Sequence, residues 1–519
     1  MQTEGSLKGR YDKLSSERDP YLTRARDCAK VTIPTLFPPD GATGSTKLPT
    51  PYQSIGARGL NNLAAKLLLA LLPPNSPFFR LMVDDFMLER MTGQEGMRAD
   101  VEEALSRMER SVMGEIESRP FRTALFEALK LLLVSGNVLA FVLPDGGMKV
   151  FRLDRYVIKR DPTGNLLELI TKERISDIEL PEEVRAVVQS KRSSSDGKPN
   201  TEDTSELYTC CRRTDTGWEV FQEVNGLPVP GSAGTYPLKK SPWLALRFIA
   251  VDGEDYGRGF VEEYLGDLKS LEGLTKAIVQ GAAAAAKVLF LVRPNSTTKY
   301  KTLAESESGD IKEGNRDDIG VLQLDKYADF RVAHDTRAGL IESLSFAFLL
   351  NTAIQRNGER VTAEEIRYMA NELESALGGV YSTLSQELQL PLVIRVMFQM
   401  ERQGRLPMLP EGVIRPTITT GIEAIGRGND LTKLAGLLQD ISPLGPEVVS
   451  THLNVGDYIK RCGTARGIDM KGLIPTAEEI AAKNQQAQMM ALVQQLGPNS
   501  INQLGNVATT AMQTQAQPQ

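Results

Sequence analysis

The sequence predicts an α+β fold that is mainly helical and contains more than one domain. Apolar residues recur at three- and four-residue steps in several long segments, as in helices that bury one face. Between Val138 and Val251 the pattern changes to short apolar runs separated by turn formers, which favours strands. The chain has 519 residues, 41% of them hydrophobic, and this length exceeds what one hydrophobic core usually serves.

The first region is predicted to consist of packed helices. Two apolar stripes at helical spacing indicate this: Val101, Leu105, Met108, Val112 and Ile116, then Phe121, Leu125, Leu129 and Leu132. The second helix should end near Ser135-Gly136, because glycine commonly follows the last helical turn.

The region from Val138 to Val251 is predicted to be rich in strands. Turn formers break it at Asp145-Gly146-Gly147, Asp161-Pro162-Thr163-Gly164 and Asn225-Gly226. Residues 190–206 are polar and poor in apolar side chains, so we expect them to form a mobile surface loop.

Two further helices flank a charged segment. The first begins after Gly259 and has an apolar face formed by Phe260, Tyr264, Leu268, Leu271, Leu274 and Ile278. Its glycines at 266, 273 and 281 each cost about 1 kcal/mol relative to alanine, which indicates that another helix approaches closely. The second carries Leu340, Ile341, Leu344 and Phe348, and residues 290–333 between them are predicted to form strands and charged loops.

A polar loop then precedes a long apolar helix. The loop Gln355-Arg356-Asn357-Gly358-Glu359-Arg360 is followed by Thr362-Ala363-Glu364-Glu365, which fits a capping box that starts a helix. The helix stripe that follows is Ile366, Met369, Leu373, Leu377, Val380, Leu384 and Leu388. Spacing alone is also compatible with an ordinary surface helix hairpin.

The end of the chain is less regular. Beyond Leu431 we expect short helices interrupted by Pro443, Gly445, Pro446 and Gly467. The last 39 residues contain ten glutamines and one charged side chain, Lys483. Such a composition buries little apolar surface, so we expect one helix around 478–496 and then disorder.

The titratable residues do not form the patterns of known catalytic or metal sites. The two histidines, His334 and His452, lie in separate segments, and the cysteines Cys28, Cys210, Cys211 and Cys462 match neither a zinc site nor a disulfide framework. The acidic pairs Asp317-Asp318 and Glu364-Glu365 are explained by solvation and by a helix start. The sequence therefore predicts no catalytic residue, no metal and no cofactor.

Nucleotide binding is likewise disfavoured. Gly421 and Gly426 have the spacing of a phosphate-binding loop, but Arg427-Gly428 stands where Lys-Ser or Lys-Thr is needed. The net charge of -6 and the isoelectric point near 5.5 argue against a broad basic face that grips nucleic acid. No stretch has the length of a membrane span or a signal-peptide core, so we expect a protein that stays in a reducing cytoplasm.

Five blocks of sequence resemble the portal, or head-to-tail connector, proteins of short-tailed phages of the autographivirus type. They are RARDCAKVTIPTLFPPD (24–40), GARGLNNLAAKLLLALLP (56–73), VDGEDYGRGFVEEYLGDLKSLEGLTKAIV (251–279), SFAFLLNTAIQRNGERVTAEEIRYMANELESALGGVYSTLSQELQL (345–390) and PTITTGIEAIGRGNDL (416–431). The blocks keep the order of the family from about residue 15 to 435. Long phrases in order are far more specific than any short motif.

The resemblance implies a portal fold with wing, stem, clip and crown regions, assembled as a cyclic ring around a central channel, usually of twelve subunits. It implies these bounds: wing 1–259, stem helix 260–289, clip 290–333, returning stem helix 334–351, tunnel loop 352–361, long helix and wing completion 362–430, crown 431–496, and a disordered glutamine-rich tail 497–519.

The same resemblance suggests three sets of functional residues. They are Gln355, Arg356, Asn357, Glu359 and Arg360 for the DNA-channel loop; Asp310, Lys312, Arg316, Asp317 and Asp318 for docking at the clip; and Glu262, Glu263, Asp267, Lys269 and Lys276 for the stem. The implied partners are further copies of the chain, double-stranded DNA, the terminase large subunit, a tail adaptor, and the major capsid, scaffold and internal core proteins. The expected location is the portal vertex of the virion, after assembly in the host cytoplasm and without a membrane.

Two other classes of protein remain open at this stage. A nuclease or motor ATPase would need an acidic metal cluster or a nucleotide loop. A structural virion protein without a channel, such as an internal core or tail component, would differ from a portal in forming no ring with a central hole.

Overall fold

The computed structural model describes most of the chain between residues 6 and 466. The described ranges are 6–74, 77–83, 98–195, 204–285, 289–295, 298–311, 313–322, 327–350, 379–409, 414–418, 426–445 and 452–466, with isolated positions at 373, 377, 479, 482–483 and 485–488. The chain divides into two compact units. The first contains residues 1–87 and 108–425, and the second contains residues 88–107 and 426–519.

The first region is helical, as predicted. Its helices are α1 (Leu7–Lys30), α2 (Ile55–Leu71), α3 (Arg98–Ser118) and α4 (Phe121–Ser135). The hydroxyl of Ser6 accepts a hydrogen bond from the Gly9 amide and so caps α1. The predicted stripe of α4 is buried, and this helix ends at Gly136 with φ of 73°. A left-handed residue after the last turn is the conformation that glycine adopts most easily.

Two antiparallel sheets occupy the predicted strand-rich region. The strands are β2 (Asn137–Val142), β3 (Met148–Phe151), β4 (Tyr156–Arg160), β5 (Leu166–Ser176), β6 (Thr204–Arg213), β7 (Trp218–Val224), β8 (Leu227–Pro228), β9 (Gly234–Tyr236) and β10 (Trp243–Arg247). One sheet has the order β10-β2-β3, and the other has the order β4-β5-β6-β7-β8, with β9 also on β7. Leu7, Tyr11 and Leu14 of α1 pack on the second sheet against Val157 and Ile170.

One element lies where a loop was expected. Helix α5 (Glu182–Ser195) includes the first part of the predicted loop 190–206. Its buried residues Val184 and Val188 pack against Val224. The prediction was wrong for residues 190–195, because an amphipathic helix needs few apolar side chains when only one narrow stripe is covered. It was also wrong for residues 204–206, which begin strand β6 and pair with β5.

A strand pair that the sequence analysis missed joins distant parts of the chain. Strand β1 (Phe79–Val83) runs antiparallel to β13 (Ile414–Ile418), with Phe79 opposite Ile418 and Val83 opposite Ile414. Pro416 lies inside β13 opposite Leu81, and proline usually argues against a strand interior because it cannot donate to the ladder.

The predicted stem contains a helix break and an early helix start. Helix α6 (Phe260–Glu263) ends at Tyr264, and α7 (Leu265–Ala285) follows, so the first predicted helix has two parts. The returning helix α9 (Tyr327–Ala347) begins before residue 334. Between them are the antiparallel strands β11 (Leu289–Val292) and β12 (Ile319–Leu322), and the short helix α8 (Tyr300–Ala304).

Gly266 and Gly273 of α7 do not meet another helix of this chain among the residues described. No atom there lies within 4 Å of the position that a Cβ would take at Gly266 or Gly273. The close approach predicted for these glycines is therefore not made by the described part of the same subunit.

The long helix after the polar loop is described from residue 379. It consists of α10 (Val380–Leu384), a π-helical turn (Ser385–Gln389) and α11 (Leu390–Arg402). Leu384 and Leu388 are buried as their spacing predicts, but the widened turn interrupts the α-helical register. Its predicted capping box and first turns lie outside the described residues.

The second unit contains α12 (Gly426–Ile441) and α13 (Val455–Arg466). The hydroxyl of Tyr458 lies 3.4 Å from the Leu434 carbonyl oxygen, to which it donates. Short helices were expected in this part of the chain.

Candidate functional site

The predicted DNA-channel loop lies outside the described residues. This applies to Gln355, Arg356, Asn357, Glu359 and Arg360, and also to Lys312 of the predicted clip. The structure does describe the chain on both sides of the loop, up to Leu350 and again from Gly379.

Charged residues fasten the start of the predicted stem to α1. Glu262 accepts a hydrogen bond from Arg258 at 3.2 Å and forms an ion pair with Arg24 at 3.4 Å. Arg258 also binds Glu254 at 2.6 Å, and this bond lowers the pKa of the Glu254 carboxyl. The Glu262 carboxylate therefore has two arginine partners within its own subunit.

Two of the remaining predicted stem residues contact the predicted wing, and the other two are exposed or half-buried. The Lys269 ammonium lies 3.7 Å from the Asp27 carboxylate of α1, and hydrogen bonding to Lys30 lowers the pKa of Asp27. The Lys276 ammonium lies 6.0 Å from the centre of the Tyr52 ring. Glu263 is exposed and Asp267 is half-buried on the same stretch of chain.

Sequence reasoning missed Glu272, which holds the segment before α2. Its two carboxylate oxygens accept hydrogen bonds from the backbone amides of Tyr52 at 2.9 Å and Gln53 at 3.2 Å. Charge-assisted bonds of this kind are among the stronger ones in proteins. The local pattern of α7 shows only that Glu272 is polar, so its distant partners were not predictable.

The predicted clip residues take part in a hydrogen-bonded turn before β12. The Asn315 side chain accepts from the Asp317 amide at 3.2 Å, and the Thr298 hydroxyl donates to Asp318 at 3.1 Å. Asp310 accepts from the Glu307 amide at 3.2 Å. Asp318 and Asp310 therefore shape the predicted clip, while Arg316 and Asp317 are exposed.

The described residues do not assemble a catalytic centre. His334 and His452 are exposed, and no group of histidine, cysteine, aspartate or glutamate side chains in the described ranges could hold a metal ion. Burial raises the pKa of the Cys28 thiol to about 12, which keeps this thiol protonated and unreactive. Among the helices of the described part, none is both long and apolar enough to cross a bilayer.

Comparison with known proteins identifies the family. Residues 4–474 match the model of the bacteriophage head to tail connecting protein family. The chain is 44% identical to the portal protein of Escherichia phage T7, over 94% of this chain and 91% of the relative. It is 42% identical to the portal protein of Enterobacteria phage T3, over 98% of this chain and 95% of the relative.

Among solved structures, the neck of an empty gene transfer agent particle is similar, with a TM-score of 0.33 and 11% identity over 74% of this chain and 86% of that one.

The family match spans most of the chain, and the relatives are covered almost end to end. The predicted α+β portal fold and the resemblance to autographivirus connectors are thereby confirmed. The chain belongs to the bacteriophage head-to-tail connecting protein family, as a portal protein of the phage virion.

Proposed function

We propose that this portal protein forms a ring of twelve identical subunits at one capsid vertex, with a channel through which double-stranded DNA enters and leaves. The observation that carries this proposal is the 44% identity to the T7 portal protein over 94% of the chain. At Gly266 and Gly273 of α7 no atom of the described residues lies within 4 Å of a Cβ position. This space supports the proposal, because a neighbouring copy can approach a helix closely where glycine leaves room.

Residues 352–361 are proposed to narrow this channel and to act as a valve during packaging and retention. Arg356 and Arg360 would supply the DNA contact, with Gln355, Asn357 and Glu359 shaping the loop. In a ring, every subunit repeats the same side chains around one axis, so a weak contact becomes a collar of positive charge.

The physical demand on such a collar is that it steers DNA without trapping it. Two unit charges about 10 Å apart in water interact by only ~0.4 kcal/mol, and physiological salt screens them beyond roughly 8 Å. Many direct phosphate contacts would instead hold the duplex through counterion release. The acidic balance of the whole chain, -6, agrees with sparse rather than extensive phosphate contacts.

The clip is proposed to dock the terminase large subunit during packaging and a tail adaptor afterwards. Arg316 and Asp317 are exposed there, and charged exposed loops favour steered, reversible contacts. The wing and crown would meet the major capsid, scaffold and internal core proteins, with assembly in the host cytoplasm. The protein would have no catalytic step, so a separate motor would supply the energy of packaging.

Replacement of both Arg356 and Arg360 by alanine tests the valve. We expect rings to assemble normally while heads package less DNA or lose it faster, because the positive collar facing the polyanion is removed. The measurement is the amount of nuclease-protected DNA per head after packaging and after storage.

A matched control removes the same charge elsewhere. Arg213 and Lys239 are exposed in the strand-rich region, and their double replacement by alanine should leave filling and retention unchanged. Normal filling and retention by heads with the Arg356 and Arg360 replacements would contradict the valve assignment.

A further inference from the structure

The returning helix α9 ends in an unusual turn. The Leu349 amide donates to the Phe346 carbonyl at 3.1 Å, and the Leu350 amide donates to the Ser345 carbonyl at 2.8 Å. This pair of bonds is the Schellman motif, which requires a left-handed residue between them, usually glycine. Leu349 takes that position with φ of 53°, a conformation that is sterically unfavourable for a side chain of its size.

Two side chains on one face of helix α2 donate hydrogen bonds to this turn. The Asn62 amide nitrogen donates to the carbonyl oxygens of Phe348 at 3.1 Å and Leu349 at 3.0 Å. The Lys66 ammonium donates to the Leu349 carbonyl at 3.0 Å and is itself buried. A cation at the carboxyl end of a helix also interacts favourably with the negative end of the helix dipole.

The same face of α2 accepts the ring that precedes the turn. A Cβ at Gly59 would lie 2.6 Å from the Phe348 ring, so only glycine fits this contact. Gly59, Asn62 and Lys66 are three and four residues apart, which places them on one side of the helix. We call these three residues the α2 grip.

The turn also touches the start of the other predicted stem helix. The Phe348 ring is fully buried and lies 5.4 Å from Phe260 and 6.0 Å from Tyr264, measured between ring centres. Phe260 and Tyr264 bracket the break between α6 and α7. The end of α9 and the break between α6 and α7 therefore meet at one cluster of aromatic rings, next to the α2 grip.

We propose that Asn62 and Lys66 are positioning residues, which hold the left-handed Leu349 turn and so set the direction in which the chain enters residues 352–361. The proposal rests on the proposed function of that loop. A strained turn persists only where its surroundings determine it, and here the surroundings are donors from α2. The grip would then influence DNA retention without itself touching DNA.

Two adjacent asparagines allow a matched test in complete portals. Asn62→Ala and Lys66→Met each remove donors to the Leu349 turn, whereas Asn61→Ala changes an exposed neighbour on α2. Hydrogen exchange on assembled portals should show the amides of Leu349 and Leu350 exchanging at least tenfold faster in the Asn62 and Lys66 variants. Heads built from these variants should retain at least threefold less DNA after storage, and the Asn61 variant should match the parent in both measurements.

The outcomes separate the grip from the loop. Faster exchange with normal retention would overturn the positioning role, as would unchanged exchange in both variants. If one variant fails to assemble, the other still decides, since each removes a bond to the same carbonyl. Normal retention in the Arg356 and Arg360 double variant together with poor retention in the Asn62 variant would reject the valve arginines while leaving the positioning role intact.

Discussion

At the scale of single residues, Gly59 shows how one missing side chain sets a contact between helices. The position is unremarkable in the sequence, where GARGLNNLAAK contains two glycines within an otherwise good helix. In the structure, the Cβ that alanine would add at Gly59 meets the Cβ and ring carbons of Phe348 at 2.6 to 2.9 Å. The Cβ of Phe348 is fixed by the backbone, so rotation of the ring cannot relieve the contact at 2.8 Å.

Replacement of Gly59 by alanine should therefore destabilise the protein. We expect a loss of about 1–3 kcal/mol, the usual range for overpacking a buried contact. Urea unfolding of the purified protein measures it.

Gly114→Ala is the matched control for this experiment. Among the described residues nothing lies within 4 Å of a Cβ at Gly114, so alanine there should raise stability by about 1 kcal/mol through helix propensity. Equal effects of the two replacements would show that the contact with Phe348 does not constrain the helices.

At the scale of elements, the π-helical turn connects the helix after the polar loop to strand β10. One oxygen of Glu387 accepts from Nε and Nη2 of Arg247 at 3.0 and 2.7 Å, and the other accepts from the Arg247 amide at 2.8 Å. Gln389 in the same turn donates to the Leu71 carbonyl at 2.7 Å. π-helical turns are often found at functional sites, and this one directs polar side chains toward β10 and the end of α2.

Glu387→Gln should weaken this connection. The side chains of Arg247 and Glu387 are only 12% and 18% exposed, so glutamine would leave the guanidinium without its counter-charge. We expect a loss of about 2 kcal/mol, within the range for a charged hydrogen bond. Thermal unfolding monitored by circular dichroism measures the change.

The same replacement at Glu263, which is exposed, should change stability by no more than about 0.5 kcal/mol. If the Glu387→Gln protein is as stable as the Glu263→Gln protein, the ion pair between Glu387 and Arg247 does not stabilise the contact of the π-helical turn with β10.

At the scale of the whole molecule, the portal role depends on identical copies closing around an axis. The family implies a capsid-associated ring, and the described subunit leaves apolar side chains of α9 exposed. Phe346 is 78% exposed and Val332 is 67% exposed on α9. Burial of such surface between copies would contribute favourable free energy to assembly.

Purified protein should therefore show rings with a central hole when imaged end-on, and averaging should give twelve subunits. Phe346→Ser is expected to lower the fraction of protein in rings, because it removes apolar surface from the exposed face of α9. An exposed position in the strand-rich region, Ile178, which is 77% exposed, provides the control as Ile178→Ser. A stable monomer, or a solid particle without a bore, would contradict the portal assignment of the assembly.

Local sequence patterns predicted several helices and the helical or strand-rich character of the main regions. The stripe of α4, its end at Gly136 and the strand-rich region were all expected from periodicity and turn formers. The pattern was misleading at residues 190–195, because α5 contains many polar residues and only a short buried stripe. It also predicted one continuous helix where Tyr264 separates α6 from α7.

The sequence by itself determined the family, the succession of helical and strand-rich regions and the absence of known catalytic motifs, since these depend on residue type and local spacing. Only the tertiary structure decided that β1 pairs with β13, that Glu387 binds Arg247, and that Asn62 and Lys66 hold the Leu349 turn. These partners lie far apart along the chain, and periodicity carries no information about which distant polar groups will meet. Their pairing follows from packing, because a buried carbonyl or guanidinium must find a partner wherever the folded chain brings one.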